Sequence, residues 1–478
     1  MNKETRPNIL YITTDQQRAD TVGCFGSKHV PTPYLDALAA RGTRFERAYI
    51  QSAVCIPSRT CMTTGRYIHQ HTVDHMKSKI DDTPPLPEHE RTVPELLQTA
   101  GYHTAAFGKT HVWPERGWTE KQTCGGKGAR WTKSAGLEIG LGPLGRDYAA
   151  WLEARHPGGY EAIYEQRRHP DYQKYHTAIR NVLPLEEYVD HWCTDNTIDF
   201  IRRDHGKPWF TQCGFCGPHD PMDPPEPYGD LYSYDDVELP PNYAVNLDGS
   251  PRETTPEQDA IARRFVAHYW AQVRLIDDEI ARIVKTLEET GQFDNTLIVF
   301  VSDHGEMLFE RGCTAKSRHF DPIIRTPLII VPPKDAASCG TGAPACAEKP
   351  RPGAAGPHAK TVADVVEAFD VAPTILDYAR AGIPANMSAS TLRPIIAEGA
   401  PAREVALCQQ LAHDRSWKTI SATTKRFRYI WSNTDERPER FFDLVNDPLE
   451  RTNFIDDPAY AEEIARHRNL MIDRLSIR

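Results

Sequence analysis

The chain has 478 residues, of which 40% are hydrophobic and 26% charged, and a formal net charge of −10. This is an ordinary globular composition, long enough for one large domain and a smaller one. The acidic balance argues against general nucleic-acid binding, which needs a basic face, but leaves room for an anionic substrate where Lys, Arg, His and a metal reverse the field inside one cleft.

The first element, Asn8-Ile9-Leu10-Tyr11-Ile12-Thr13-Thr14, is a short apolar run expected to form a buried parallel strand that ends at Asp15-Gln16-Gln17. Residues 33–42 read as a helix stopped by Gly42 and 43–49 as a strand. A helix over 92–100 ended by Gly101 follows, and then strands at 104–108 and 207–214. From Pro256 to about Thr290, apolar residues recur at Ile261, Phe265, Tyr269, Val273, Ile276, Ile280, Ile283 and Leu287, which predicts a long helix closed by Gly291. The apolar run Thr296-Leu297-Ile298-Val299-Phe300-Val301 predicts a strand ending at Ser302-Asp303-His304. Helices alternating with apolar strands predict an α/β fold with a large, mainly parallel central sheet flanked by helices. Such sheets bind ligands beyond the carboxyl ends of their strands. Asp15, Lys109, His219 and Asp303 all lie just past predicted strand ends, so they can meet in one cleft.

Residues 334–358, rich in Ala, Gly and Pro, read as a flexible surface loop. Residues 361–379 are expected to be helical, with Val362, Val365, Phe369, Val371 and Leu376 as the apolar set. Beyond about residue 388, strand-like pieces at 403–407, 418–422, 427–431 and 440–444 precede a terminal helix over 458–475. These predict a small antiparallel sheet plus helix, and hence a main α/β domain over 1–387 and a C-terminal α+β subdomain over 388–478. No run of 18 apolar residues is present to span a membrane. The opening Met1-Asn2-Lys3-Glu4-Thr5-Arg6-Pro7 has no apolar core of a signal peptide, so a cytoplasmic location is expected. The 11 cysteines are scattered and odd in number, and are read as mostly reduced thiols. Cys213-Gly214-Phe215-Cys216 is a C-x-x-C that reads as redox-active, as half a zinc site, or more plainly as two thiols lining a strand end.

The segment Cys55-Ile56-Pro57-Ser58-Arg59-Thr60-Cys61-Met62-Thr63-Thr64-Gly65-Arg66 carries the most chemistry. Pro57 suits an early helical position. A helix N-terminus lowers a thiol pKa and welcomes an anion. Helix-start packing and a reactive cysteine are both open readings at this point. Arg59 is one helical turn on from Cys55 and faces the same way. Asp15-Gln16 and Asp303-His304, at the ends of two strands, are what a split, oxygen-rich metal site needs, although Asp15 taken alone reads rather as an N-cap or turn residue.

C-x-P-S-R followed by T-G-R resembles the signature of the sulfatase family, in the alkaline-phosphatase-like superfamily. Other fragments resemble the family in order: Asp15-Gln16 its D-D or D-Q pair, Gly108-Lys109-Thr110-His111 its G-K-x-H, and Pro218-His219-Asp220-Pro221 its P-H-x-P. Ser302-Asp303-His304-Gly305-Glu306 resembles its S-D-H-G-E, and Asp443-Leu444 with Asp447-Pro448 and Glu450 its C-terminal D-L-x-x-D-P-x-E. Lys316, 13 residues past Asp303, matches a family lysine. The resemblance thus covers nearly the whole chain.

It implies hydrolysis of a sulfate monoester. Cys55 would be oxidised by a formylglycine-generating enzyme to formylglycine. One hydroxyl of the hydrated aldehyde attacks sulfur, and the other then loses its proton and expels sulfate. One divalent metal is implied at Asp15, Gln16, Asp303, His304 and the modified Cys55. Ca²⁺ is the first expectation, with Mg²⁺ and Mn²⁺ open because Gln16 stands where Asp is commoner and His304 adds a nitrogen. The resemblance also implies that Arg59 holds the nucleophile oxygens or the sulfate and Lys109 neutralises sulfate charge. His111 takes the proton of the spare hydroxyl, and His219 and Lys316 serve the bridging oxygen.

The insertion at 114–185, irregular and rich in Trp, Tyr, Arg and Gly, is expected to wall the pocket. There Trp113, Trp118, Trp131, Tyr160 and Arg167 either stack on a sugar or aryl group or pack a loop. His69 and His75 follow the signature helix as further candidates. The expected partner is a small-molecule or saccharide sulfate ester, with no nucleic acid or membrane and with the oligomeric state open. Two alternatives stand beside this one. A phosphonate monoester or phosphodiester hydrolase of the same superfamily shares the formylglycine and the D-Q and D-H pairs. A non-catalytic anion or glycan binder on the same scaffold is opposed by the presence of Cys55, Lys109 and Asp303.

Overall fold

The computed structural model describes residues 6–74, 85–127, 147–334, 360–411, 418–434 and 438–476. His75, Trp131 and all but the first residue of the predicted loop at 334–358 lie outside the described residues.

The main sheet is built from β1 (Asn8–Asp15), β2 (Thr43–Tyr49), β3 (His103–Lys109), β4 (Glu120–Cys124), β5 (Trp209–Pro218), β6 (Thr296–Ser302), β7 (Arg325–Thr326), β8 (Leu328–Val331) and β9 (Lys360–Glu367). Its order is β4-β3-β5-β1-β6-β8-β2-β7, with β9 on β2. From β4 to β6 every neighbour is parallel, as is β2 with β9, whereas β8 runs antiparallel to β6 and β2. β1 lies at the centre between β5 and β6, which is why its apolar run is unbroken: a parallel strand covered by helices is buried on both faces. Ile9 and Tyr11 enter one core and Leu10 and Ile12 the other, on opposite faces of the sheet.

The helices include α1 (Pro33–Arg41), α2 (Cys55–Thr64), α3 (Val93–Thr99), α4 (Val189–Arg202), α5 (Pro256–Glu289), α6 (Val371–Tyr378) and α7 (Ala461–Leu475). α5 starts with a capping box, Thr255 accepting from the Gln258 amide, and with Pro256 in the first turn. No helix among the described residues is long and apolar enough to cross a membrane.

The second sheet is antiparallel, with β10 (Ala406–Leu411), β11 (Lys418–Thr423), β12 (Phe427–Ser432) and β13 (Arg440–Asp443) in that order. Ile464 and Met471 of α7 share a core with Ile420, Tyr429 and Phe441 of this sheet. The fully buried Arg428 ties it to the main sheet. Its guanidinium lies 2.5 Å from Glu450 Oε1 and 2.8 Å from Asp321 Oδ1, while Glu450 Oε2 accepts the Asp321 amide at 2.7 Å.

Two expectations are corrected. The predicted helix over 361–379 is strand β9, a short 3₁₀ turn and then α6. Phe45 of β2 faces Val362, and Arg47, two residues on, faces Val365. The bulge sits in β9 and sets two inward valines three residues apart, which imitates helical spacing. The described residues of the insertion at 114–185 are not all irregular. β4 joins the sheet edge, and helices occupy Asp147–Arg155, Gly159–Arg168 and Pro170–Lys174.

Candidate active site

The carboxyl ends of β1, β3, β5 and β6 deliver Asp15, Lys109, the His219 loop and Asp303 to one place, and α2 points its N-terminus at them. α2 is held by its own sequence. Pro57 sits in its first turns, and Gly65 at φ 65° closes it in the left-handed form. Cys55 is its first residue and is 1% exposed.

Arg59 lies across the sheet end beneath Cys55. Its Nε donates to Asp303 Oδ2 at 2.6 Å, Nη1 to Thr13 Oγ1 and the Lys109 carbonyl at 3.2 Å each, and Nη2 to the Thr14 carbonyl at 3.1 Å. Four of five guanidinium hydrogens are therefore spent on protein. Ser58 Oγ donates to the Asp303 carbonyl at 2.6 Å, and the Gln16 amide to Asp303 Oδ1 at 3.1 Å. Burial alone would raise the Asp303 pKa, but the adjacent Arg59 cation outweighs it and holds the carboxyl well below the usual range.

Asp15, Asp303 and His304 are fully buried, and one ligand atom of each lies within 4.8 Å of the others. His304 Nδ1 lies 2.9 Å from the Gly305 carbonyl, an acceptor, so Nδ1 carries the proton and Nε2 the lone pair. Nε2 is 3.6 Å from Asp15 Oδ1 and 3.7 Å from Asp303 Oδ1. Asp15 Oδ1 and Gln16 Oε1 are buried oxygens with no hydrogen-bond partner. Such orphaned acceptors are costly unless a cation meets them, so this donor set fits a divalent metal. Gln16 is aimed by Glu306, whose carboxylate accepts its Nε2 and, at 3.2 Å, the Leu308 amide. Glu306 was not among the predicted ligands, although it stands in the same S-D-H-G-E run. Gln16 and His111 both adopt left-handed backbone, at φ 68° and 55°, a strain that recurs at functional sites.

Lys109 pairs with Asp15, and burial lowers its ammonium to about 8. The neighbouring Gly108 is required. At φ 91°, an added Cβ would stand 2.2 Å from the Gly214 carbonyl and 2.5 Å from Cys193 Sγ. His111 is buried, its Nδ1 meets no hydrogen-bond partner, and burial with the charges of Lys109, Arg59 and Lys316 keeps it neutral. Lys316 is the hub. Its Nζ lies 3.0 Å from His219 Nε2, 3.0 Å from His304 Nε2 and 3.6 Å from Cys55 Sγ. His219 Nδ1 faces the Asp220 carbonyl at 2.6 Å, and burial and Lys316 lower its pKa to about 4.

A model of the sulfatase family matches residues 7–381, and a model of the C-terminal part of N-sulphoglucosamine sulphohydrolase matches residues 351–476. This chain belongs to the sulfatase family. It is 28% identical over 508 residues to an arylsulfatase of Clostridium perfringens, covering 98% of this chain and 94% of that protein. It is 24% identical over 535 residues to an N-acetylglucosamine-6-O-sulfatase of Bacteroides thetaiotaomicron, covering 96% and 84%. Its fold matches the phosphonate monoester hydrolase of Agrobacterium radiobacter with a TM-score of 0.76, at 22% identity, over 98% and 96% of the two chains. The large mixed sheet with its small antiparallel companion is the alkaline-phosphatase-like arrangement, and the sulfatase is a sulfuric ester hydrolase.

The predicted residues of this sulfatase converge, with qualifications. Arg59 faces Asp303, the Thr13 hydroxyl and backbone carbonyls, so it fixes a carboxylate of the candidate metal cluster, with a single hydrogen left over. Trp118 stacks on Phe210 at 5.8 Å, the Tyr160 hydroxyl meets that of Tyr164 at 3.0 Å, and the buried Arg167 lies 5.6 Å over the Tyr164 ring. Tyr160 and Arg167 pack the interior, whereas the half-buried Trp118 lines a cavity with Arg59, Thr13 and Thr110. Trp113 is half-buried. The His69 ring lies 3.1 Å from Gln409 Oε1, tying it to the second sheet. Cys213 and Cys216 lie inside β5, not at its end, and Cys216 Sγ is 3.3 Å from Cys124 Sγ. The described cysteines form no disulfide among themselves.

Proposed function

We propose that the sulfatase cleaves a sulfate monoester, with a saccharide or aryl alcohol as leaving group, through formylglycine made from Cys55. The observation that carries this is the position of Lys316 Nζ, within 3.6 Å of Cys55 Sγ, His219 Nε2 and His304 Nε2 together. One side chain thus touches the nucleophile position, the leaving-group histidine and the metal cluster. The hydrated aldehyde supplies two hydroxyls, one to attack sulfur and one whose deprotonation expels sulfate.

Asp15, Gln16, Asp303 and His304 would hold a divalent cation, which polarises the sulfuryl oxygens when bound. Ca²⁺ is the proposed ion on the three side-chain oxygens, with Mg²⁺ or Mn²⁺ as the outcomes that would replace it. Arg59 and Ser58 keep Asp303 in place. Lys109 and Lys316 offset the charge of the bound sulfate. His111, neutral and with an unpartnered nitrogen, accepts the proton of the second hydroxyl. His219, whose Nδ1 is committed to Asp220, turns Nε2 and the Lys316 ammonium toward the bridging oxygen. The leaving alkoxide takes its proton from that pair.

The C. perfringens relative is named an arylsulfatase and the B. thetaiotaomicron relative an N-acetylglucosamine-6-O-sulfatase. These names support the two proposed leaving-group classes. The Gln16 amide and the fold of the Agrobacterium hydrolase favour phosphonate monoesters as a second activity. Mass spectrometry of the peptide over 45–66 tests the nucleophile: conversion removes H₂S and adds one oxygen, and an active enzyme with unmodified Cys55 overturns the mechanism. Matched aryl sulfate and aryl phosphonate esters test the reaction, with a higher kcat/KM expected for the sulfate.

A further inference from the structure

At the end of β3 opposite Lys109 stands a second cluster that the hydrolytic site does not use. His103 opens β3, Glu120 opens the neighbouring β4, and His205 lies in the connection from α4 to β5. One ligand atom of each lies within 4.8 Å of the others, and all three side chains are half-buried. His103 Nε2 is 2.8 Å from Glu120 Oε1. The two imidazole centroids are 4.7 Å apart, with the rings tilted by 49°. Two imidazoles sharing one tetrahedral zinc at about 2.0–2.1 Å place their centroids about 5 Å apart, so little movement is needed to bring both onto one ion.

The groups are also held from behind. His205 Nε2 lies 2.9 Å from the Phe200 carbonyl, which only accepts, so this nitrogen carries the proton and Nδ1 keeps the lone pair. Ligating histidines are oriented in this way by outer partners. The His205 ring is stacked on Phe200 at 4.2 Å, and burial keeps its pKa below the ordinary value, so it is neutral at neutral pH. Glu120 Oε2 accepts from Arg203 Nη2 at 2.7 Å, which turns Oε1 toward His103.

We propose that His103, Glu120 and His205 bind a second divalent metal of the borderline transition type, Zn²⁺ foremost. Two imidazole nitrogens and one carboxylate suit Zn²⁺, whereas the oxygen-rich set around Asp15 suits Ca²⁺ or Mg²⁺. The sites are separate. Six residue steps along β3 at ~3.3 Å each put His103 about 20 Å from Lys109. The second ion acts as a clamp. β4 pairs only with β3 in the described sheet, and its far end leads to Gly126, packed against Lys109, and to Lys127, which pairs with Asp223 at 2.6 Å. Fixing the start of β4 steadies the strand that delivers this loop to the active site.

The test is a zinc titration of the full-length enzyme in excess Ca²⁺, by calorimetry and by thermal melting, with H103A, E120Q and H205Q beside the wild type. The wild type is expected to take up one zinc equivalent that each variant lacks, and to gain melting temperature with Zn²⁺ that the variants do not gain. Aryl sulfate hydrolysis by H205Q without zinc should equal that of the wild type. Equal zinc stoichiometry and equal melting shifts in wild type, E120Q and H205Q overturn the proposal. These two replacements keep the size of the side chain or close to it, so they decide the matter even where H103A fails to fold.

Discussion

At the scale of single residues, Lys316 and Arg59 divide the work of charge between them. Lys316 is a point cation at the junction of Cys55, His219 and His304. Lys316→Ala is expected to lower kcat by roughly 10²- to 10⁴-fold, the range for a lost acid or charge-stabilising group. The loss should be steeper for sulfates of basic alcohols than for aryl sulfates with good leaving groups, and kinetics across a leaving-group series checks this. Arg59 acts through Asp303. Arg59→Lys keeps one charge but cannot reproduce four directed hydrogen bonds. It should weaken metal affinity about 10- to 100-fold, as loss of outer support typically does, and a metal titration reads this directly. The spacing of Arg59 from Cys55 told which side of α2 it occupies. It did not tell what lies across from that side, because Thr13, Lys109 and Asp303 arrive from three other strands. The same limit hid Glu306, whose partner Gln16 is 290 positions away.

At the scale of elements, the site depends on close backbone approach, and the fold on how α1 is seated. Gly108→Ala would force a Cβ into the Gly214 carbonyl from a left-handed backbone. A loss of about 2–4 kcal/mol is expected from strain and clash combined, measurable by denaturant unfolding. α1 starts on Asp277 of α5, whose carboxylate accepts the amides of Tyr34 at 3.2 Å and Leu35 at 2.8 Å. Burial nevertheless raises this carboxyl to about 7. The native state therefore holds the proton more tightly than the unfolded chain. That part of the stability is present below the unfolded carboxyl pKa and is lost as pH rises through about 7. Asp277→Asn should flatten the fall in unfolding free energy between pH 5 and pH 8. β1, β6, α5 and the parallel centre of the sheet were legible from apolar runs and a clean 3.6 period. β9 was not, since a bulge against β2 gave its valines helical spacing. The insertion before α4 was not either, because its helices are short and β4 is stabilised by pairing with β3, which composition does not reveal.

At the scale of the whole molecule, the second sheet is fastened to the turn before β7 by the buried Arg428 and Glu450 with the half-buried Asp321. Arg428→Ala would leave the buried Glu450 without its cation, while Asp321 keeps Arg325 at 2.7 Å. A loss of about 3–5 kcal/mol is expected for breaking one side of such a group. If the sheets unfold together, the denaturation curve shifts while its slope stays the same. The seat of Cys55 sets an order of events for the whole chain. The thiol is 1% exposed in the folded protein, and the ammonium over it belongs to a residue 261 positions later. At roughly 5–20 residues per second of synthesis, Lys316 follows Cys55 out of the ribosome after some tens of seconds at the slow limit and about a dozen at the fast one. For the formylglycine route proposed above, an enzyme that grips the thiol as extended chain has at least that interval. On the proposed route to formylglycine, oxidation of Cys55 competes with its burial, and a molecule that folds first keeps an intact architecture around a sulfur that can no longer be reached.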